Sequence, residues 1–263
     1  MTTRHVVFVH GMFMTPLCWE HWVERFSRAG LKCVAPAWPG RDGSIEELRA
    51  AHPDARLGRL SFNDVVEHFT SRVLALKEKP ALIGHSMGGL VVQILLGRGL
   101  GTAGVAIDSA PPVGVSSFKW SFLKSNWTMI NPFVSKDAPH MMTFEQFQYA
   151  FVNTLPAEEQ KAAYERYVVP ESRRVPRDSL GEVGQVDFTV QRPPLLLVAG
   201  AEDHIIPAAL NRANYERWRR SSATTDFHEF AGRDHFLIGS KGWEEIADHS
   251  LAWLRDKGSL AAE

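Results

Sequence analysis

Short runs of consecutive apolar residues recur along the chain, and most are followed by a stretch in which apolar residues return every three or four positions. The first pattern marks a strand covered on both faces, and the second a helix with one buried stripe. The run His5-Val6-Val7-Phe8-Val9 is the first such strand. Further strands are predicted over 31–35, in the apolar run that closes at Ile83, and over 104–108, 195–199 and 225–230. Helical spacing predicts helices over 17–29, with Trp19, Trp22, Val23 and Phe26 on one face, and over 61–77, with Val65, Phe69, Val73 and Leu76 inward. It continues with the helix of Leu90, Val91, Ile94 and Leu95, and with helices over 208–220 and 243–257. Ser61-Phe62-Asn63-Asp64 reads as a capping box. Residues 36–60 lack a period and read as a surface loop with a short helix near 45–50.

Strands alternating with helices imply an α/β fold, a mostly parallel six-stranded sheet with helices on both faces. The alternation stops between 111 and 193, where helical patterns near 118–130, 143–154 and 157–167 occur without a strand of comparable quality. The expected organisation is therefore a core of 1–110 and 194–263 with 111–193 inserted as a helical cap. Aromatic residues such as Phe118, Trp120, Phe122, Trp127, Phe147 and Phe151 concentrate in that insertion. Most are expected to build its own core and some to face a site beneath it.

One strand–helix junction differs from the others. Gly84-His85-Ser86-Met87-Gly88 lies between an apolar run and an apolar helix. Glycines two residues either side of Ser86 permit a turn so sharp that a side chain would meet neighbouring backbone, and the serine is left at its apex. Other chemistry-bearing residues also fall at strand ends: His10-Gly11-Met12, Asp108, Asp203-His204 and Asp234-His235. Parallel sheets bind ligands at that edge.

Composition narrows the class. Lys and Arg number 29 against 30 Asp and Glu, a net charge of -1 that offers no field for nucleic acid or anionic lipid. No apolar run approaches the roughly 18 residues of a membrane span, and no signal-peptide pattern precedes the first strand, so a cytoplasmic protein without membrane partners is expected. Cys18 and Cys33 read as packing thiols. No cluster has metal-ligand spacing and no glycine-rich phosphate cradle is present, so neither metal nor cofactor is expected.

The motifs Gly84-His85-Ser86-Met87-Gly88, His10-Gly11-Met12, Gly200-Ala201-Glu202-Asp203 and Asp234-His235 together resemble the α/β-hydrolase fold superfamily, in its chain order Ser, Asp, His. The resemblance runs from the first strand to the last helix. It implies Ser86 as nucleophile, His235 as base, Asp203 as orienting carboxylate, and the backbone N–H groups of Met12 and Met87 as an oxyanion hole. Asp108 is the alternative acid, because some enzymes of this fold take theirs from that strand. His10 reads as a structural loop residue, His85 as packing and Asp234 as a loop cap. His204 is adjacent to Asp203 and is poorly placed to face it.

The implied function is hydrolysis of a small-molecule carboxylic ester through an acyl-enzyme. A carbon–carbon bond hydrolase would use the same triad. A hydroxynitrile lyase of this fold is disfavoured, since those enzymes carry Thr at the Gly11 position and Lys where this chain has Phe236. A non-catalytic small-molecule receptor is disfavoured because no triad member is missing. A compact aromatic cap suits short to medium acyl or aryl groups.

Overall fold

The computed structural model describes residues 2–116 and 119–260. Six strands, β1 (His5–Val9), β2 (Lys32–Val34), β3 (Ala81–His85), β4 (Gly104–Ile107), β5 (Leu195–Gly200) and β6 (Thr225–Phe230), form one sheet. Their order is β2-β1-β3-β4-β5-β6, and every pairing is parallel. The four central strands are buried almost throughout, whereas β2 and β6 at the edges are more exposed.

Alternation along the strands divides the core in two. Val6, Phe8, Ile83, Val105, Ile107, Leu196 and Val198 face one side, where they meet Trp22 and Phe26 of α1 (Glu20–Arg28) and Ile246 and Leu254 of α11 (Trp243–Asp256). Val7, Val9, Leu82, Ala106, Leu195 and Leu197 face the other. That side is covered by α4 (Phe62–Leu74), α5 (Met87–Gly97) and α10 (Ala208–Trp218). The expected six strands and two helical layers are therefore present. Gln93 of α5 is buried but satisfied: its oxygen accepts from Trp218 Nε1 (2.7 Å) and Asn214 Nδ2 (3.1 Å), and its nitrogen donates to Ser109 Oγ (2.7 Å). This polar knot ties α5 and α10 to the end of β4.

Local chemistry explains where elements begin. The Ser61 hydroxyl accepts from the Asp64 N–H, and the Asp64 carboxylate accepts from the Ser61 N–H, which starts α4 as its sequence suggests. The expected helix 17–29 opens instead as a 3-10 turn, Pro16–Trp19, capped by Thr15. In the loop 36–60, the expected helix is present as α2 (Ile45–Ala50), and α3 (Ala55–Arg59) adds a turn too polar and short to show a period. Both cysteines are free, and burial raises both thiols, that of Cys33 to about 11.

Between β4 and β5 the chain forms α6 (Trp120–Ile130), α7 (Phe144–Ala150), α8 (Ala157–Tyr167) and α9 (Arg174–Asp178). Phe147, Phe151, Ala163 and Tyr167 of this insertion join the α1 side of the core. Phe118, one of the expected cap aromatics, lies outside the described residues. No helix among the described residues is long and apolar enough to cross a membrane.

Candidate active site

Ser86 sits at the turn between β3 and α5 with φ 57° and ψ -121°, a conformation that costs a side-chain-bearing residue free energy. Its neighbours allow nothing larger. A Cβ on Gly84 would lie 2.2 Å from the Gly88 carbonyl oxygen, and one on Gly88 would lie 2.2 Å from that of Val9. The Ser86 backbone is fixed by its N–H donating to Ile107 (2.9 Å) and by its carbonyl accepting from Gly89 and Ala110 (2.9 Å each). The residue is 8 % exposed.

His235 follows β6 and is fully buried. Its Nδ1 lies 2.6 Å from Asp203 Oδ2, while the other oxygen of Asp203 accepts from the N–H groups of Ile205 (2.7 Å) and Ile206 (2.9 Å). Three donors thus orient the carboxylate, and the carboxylate assigns the proton to Nδ1. Nε2 is left with no hydrogen-bond partner among the described residues. It is a bare acceptor.

The remaining polar residues at this edge have other employment. Asp108 accepts from the Gly200 N–H through Oδ1 (2.8 Å), and its second oxygen has no hydrogen-bond partner among the described residues. Burial first, and then the nearby Asp203 charge, push its carboxyl well above the usual range. Among the described residues the hydrogen bond of the His235 imidazole to a carboxylate is the one to Asp203. Asp234 caps as expected, accepting from Thr154 N–H and Oγ1 and from the Phe236 N–H. His204 turns to the insertion, its Nδ1 2.8 Å from the Tyr149 carbonyl oxygen.

His10 and His85 are both buried and neutral. His10 Nδ1–H donates to the Gly11 carbonyl (2.8 Å) and Nε2 accepts from the Trp38 N–H (3.2 Å); burial lowers its pKa to about 3. Because C=O and N–H point oppositely across a trans peptide, a restraint on the Gly11 carbonyl also restrains, from one side, the direction of the Met12 N–H. His85 does more than pack. Its Nε2–H donates to the backbone oxygen of His235 (2.7 Å), and its ring lies 4.6 Å from the His235 ring. Burial, with His235 second, holds its pKa well below the ordinary value.

Gly11 presses against the elbow: a Cβ there would stand 2.8 Å from Ser86 Cβ. The adjacent Met12 N–H and the Met87 N–H at the start of α5 have no acceptor among the described residues. The latter also carries the positive end of a helix.

His85, Asp108 and His235 each bring a ligand atom to within 4.8 Å of the others. Sequence spacing could not show this cluster, because its members come from three strand ends. A cation there would need Asp108 to ionise and would compete for the free lone pairs of imidazoles that already use their other nitrogen.

The segment between β4 and β5 touches the loops that carry His235 and Asp203. Phe151 presents its ring edge-on to His235 at 4.9 Å and accepts a backbone hydrogen bond from Phe236 (3.0 Å). Ser125 and Asn126 donate to the carbonyls of His204 and Ile205, both at 3.2 Å. Trp120, Trp127 and Phe133, in contrast, point to solvent. Four surface clefts, the largest about 840 Å³ beside Pro39, Leu57 and His68, are lined by none of Ser86, Asp203 or His235.

The model of the alpha/beta hydrolase family matches residues 6–249. No curated protein sequence matches the chain. Among solved structures, polyneuridine aldehyde esterase is similar at 16% identity and TM-score 0.68, over 96% of this chain and 99% of that one. A monoacylglycerol lipase of Paleococcus ferrophilus is similar at 20% and 0.67, over 97% and 96%. An extracellular alpha/beta-hydrolase from a Paenibacillus species is similar at 18% and 0.70, over 94% and 98%. At these identities the likeness is one of fold.

Proposed function

The chain belongs to the alpha/beta hydrolase family, and from that premise we propose that it is a serine esterase acting on small to medium carboxylic esters through an acyl-enzyme. The observation that carries this reading is the 2.6 Å bond from His235 Nδ1 to Asp203, which leaves Nε2 as a bare, buried acceptor at the strand edge where the elbow presents Ser86. In the first half-reaction the Ser86 oxygen attacks the ester carbonyl as its proton passes to Nε2. The carbonyl oxygen becomes an oxyanion and is met by the Met12 and Met87 N–H groups. Collapse expels the alcohol, which takes the proton from His235. In the second half, water gives a proton to Nε2 and attacks the acyl carbon, and Ser86 leaves with that proton. The neutral Nδ1–H tautomer that Asp203 favours is the one this sequence requires.

A site this closed favours a small substrate. Ser86 is nearly buried and Phe151 stands against the base, so an acyl group must fit beside that ring. We expect Ser86→Ala to remove hydrolysis of nitrophenyl esters by several orders of magnitude while leaving the fold intact, because the triad acts as a unit. A fluorophosphonate probe should label Ser86 in the wild type. Labelling elsewhere, or activity retained by the variant, would overturn the assignment.

A further inference from the structure

Phe13 follows Met12 and holds φ 63°, a conformation that a bulky side chain adopts only when its surroundings enforce it. The enforcement comes from the insertion, in the segment between α8 and α9. The Phe13 N–H donates to Glu171 Oε2 (3.1 Å), and its carbonyl accepts from the Val169 N–H (2.9 Å). The ring is closed in by His140 and Phe151, each edge-on at just over 6 Å.

Glu171 is itself held. It is fully buried, its Oε1 accepts from the Ser172 N–H (2.7 Å), and Arg41 Nη2 lies 2.6 Å from the same oxygen. Arg41 is buried too, and its Nη1 donates to the Pro170 carbonyl. Nη2 lacks the angle of a hydrogen bond, so the Arg41–Glu171 contact is held chiefly by charge. In a dry interior that attraction is strong, and leaving either partner alone would be costly.

These contacts surround one peptide group. Met12 lies between two planar peptide units. His10 fixes the first through the Gly11 carbonyl; Glu171 fixes the second through the Phe13 N–H. With both planes pinned, the Met12 N–H has one direction available. We propose that Glu171, charged and anchored by Arg41, is a positioning residue for the oxyanion hole, through which the insertion sets the aim of the Met12 amide. This inference rests on the esterase reading above.

A pair that merely joined two segments would affect stability and leave chemistry alone, so the test separates the two. Replacing a buried ion pair by apolar residues of similar size is often neutral for stability. The double variant Arg41→Met/Glu171→Met should therefore fold, yet the Phe13 N–H loses its acceptor. Its kcat for nitrophenyl acetate should fall at least about tenfold, since a complete oxyanion donor is worth about 10²–10³, with KM little changed. Affinity for a boronic acid, which mimics the tetrahedral state, should fall in parallel. Arg41→Met/Glu171→Gln keeps an amide oxygen for the Phe13 N–H and should recover most of the loss. Hydrogen exchange of the wild-type Phe13 amide, which needs no variant, should be slow.

A stable Arg41→Met/Glu171→Met protein with wild-type kcat, or an Arg41→Met/Glu171→Gln protein no more active than it, would overturn the proposal. So would fast exchange at Phe13. A wild type that hydrolyses no ester and takes no phosphonate label would overturn the parent reading instead. The catalytic part of this inference would then fall with it, and slow exchange at Phe13 would mark the clamp as structural.

Discussion

Ser86 and Phe13 both hold positive φ, 57° and 63°, and both stand at the carboxyl edge of the sheet, but they are kept there by different means. At Ser86 the means are local. Gly84 and Gly88 remove the side chains that would collide, and the backbone bonds come from β4 and from the first turn of α5. At Phe13 they are remote, since its amide is held by a carboxylate 158 residues further along, itself paired with Arg41 on a different loop. The elbow can form as soon as its strand and helix do, whereas the Phe13 turn requires the insertion to be docked. In the esterase we propose, the first arrangement would present the nucleophile and the second would let a distant segment govern how the oxyanion is received.

The largest effect expected on the elbow side, short of removing the nucleophile, comes from Asp203→Asn. An amide would favour the wrong imidazole tautomer and could not stabilise the imidazolium, a defect that costs about 10⁴ in kcat in serine proteases. The Phe13 clamp shares no partner with Asp203, so exchange at the Phe13 amide should be unaltered. The check is kcat with a nitrophenyl ester beside exchange at Phe13. A mild Asp203→Asn, coupled with a crippling Asp108→Asn, would exchange the roles of the two carboxyls.

A smaller effect is expected where the two regions meet. On Gly11→Ala, the new methyl would stand 2.8 Å from Ser86 Cβ and 3.0 Å from the His85 carbonyl oxygen, so Ser86 or the oxyanion loop must move. Neither neighbour is the flexible end of a side chain. Misplacement of about 1 Å costs about a hundredfold in rate, and overpacking costs about 1–3 kcal/mol of stability. We therefore expect kcat to drop much further than the melting temperature. Near-wild-type activity in Gly11→Ala would mean that the loop and the elbow adjust independently, and the comparison would lose its point of contact.

What the sequence made legible follows the same division. All six strands and the capped start of α4 are written in short-range periodicity and side-chain chemistry, and so is the glycine-flanked turn of Ser86. The pairing of His235 with Asp203 was readable only by resemblance, since 32 residues and a strand separate them. Arg41 and Glu171 carry no signal of their own in the sequence, because each alone resembles a surface charge in a loop; only the fold makes them a buried pair. The sequence offers one faint signal, the polar run 171–174 directly after Val168-Val169-Pro170. A histidine inside an apolar turn reads as packing, and the bond of His85 to the His235 carbonyl depends on the loop after β6 reaching back along the sheet edge, past β5 and β4, to the end of β3. In helices α3 and α9, five residues each, the period is too brief to recognise, and α9 contains a proline.

The smallest effect expected concerns Asp108, the carboxyl left out of the proposed triad. Its pKa is raised well above the ordinary value, first by burial and then by repulsion from Asp203. In the unfolded chain the same group ionises near its ordinary value of 3.8. Below that pH both states carry the proton and the group has no effect on the balance. As the pH rises, ionisation favours the unfolded chain, and the wild type loses stability until the folded pKa is reached. Asn has nearly the same shape, can accept the Gly200 N–H through its oxygen, and cannot ionise in either state. Asp108→Asn should accordingly melt at about the wild-type temperature near pH 4 and above it at pH 8, with the difference widening between. Its kcat should stay within the same order of magnitude, because His235 keeps Asp203. Melting curves of the two proteins at intervals from pH 4 to pH 8 provide the check. A gap that is constant, or that narrows as pH rises, would mean that Asp108 is ionised in the fold, and the two buried carboxyls would then have to share the work of orienting His235.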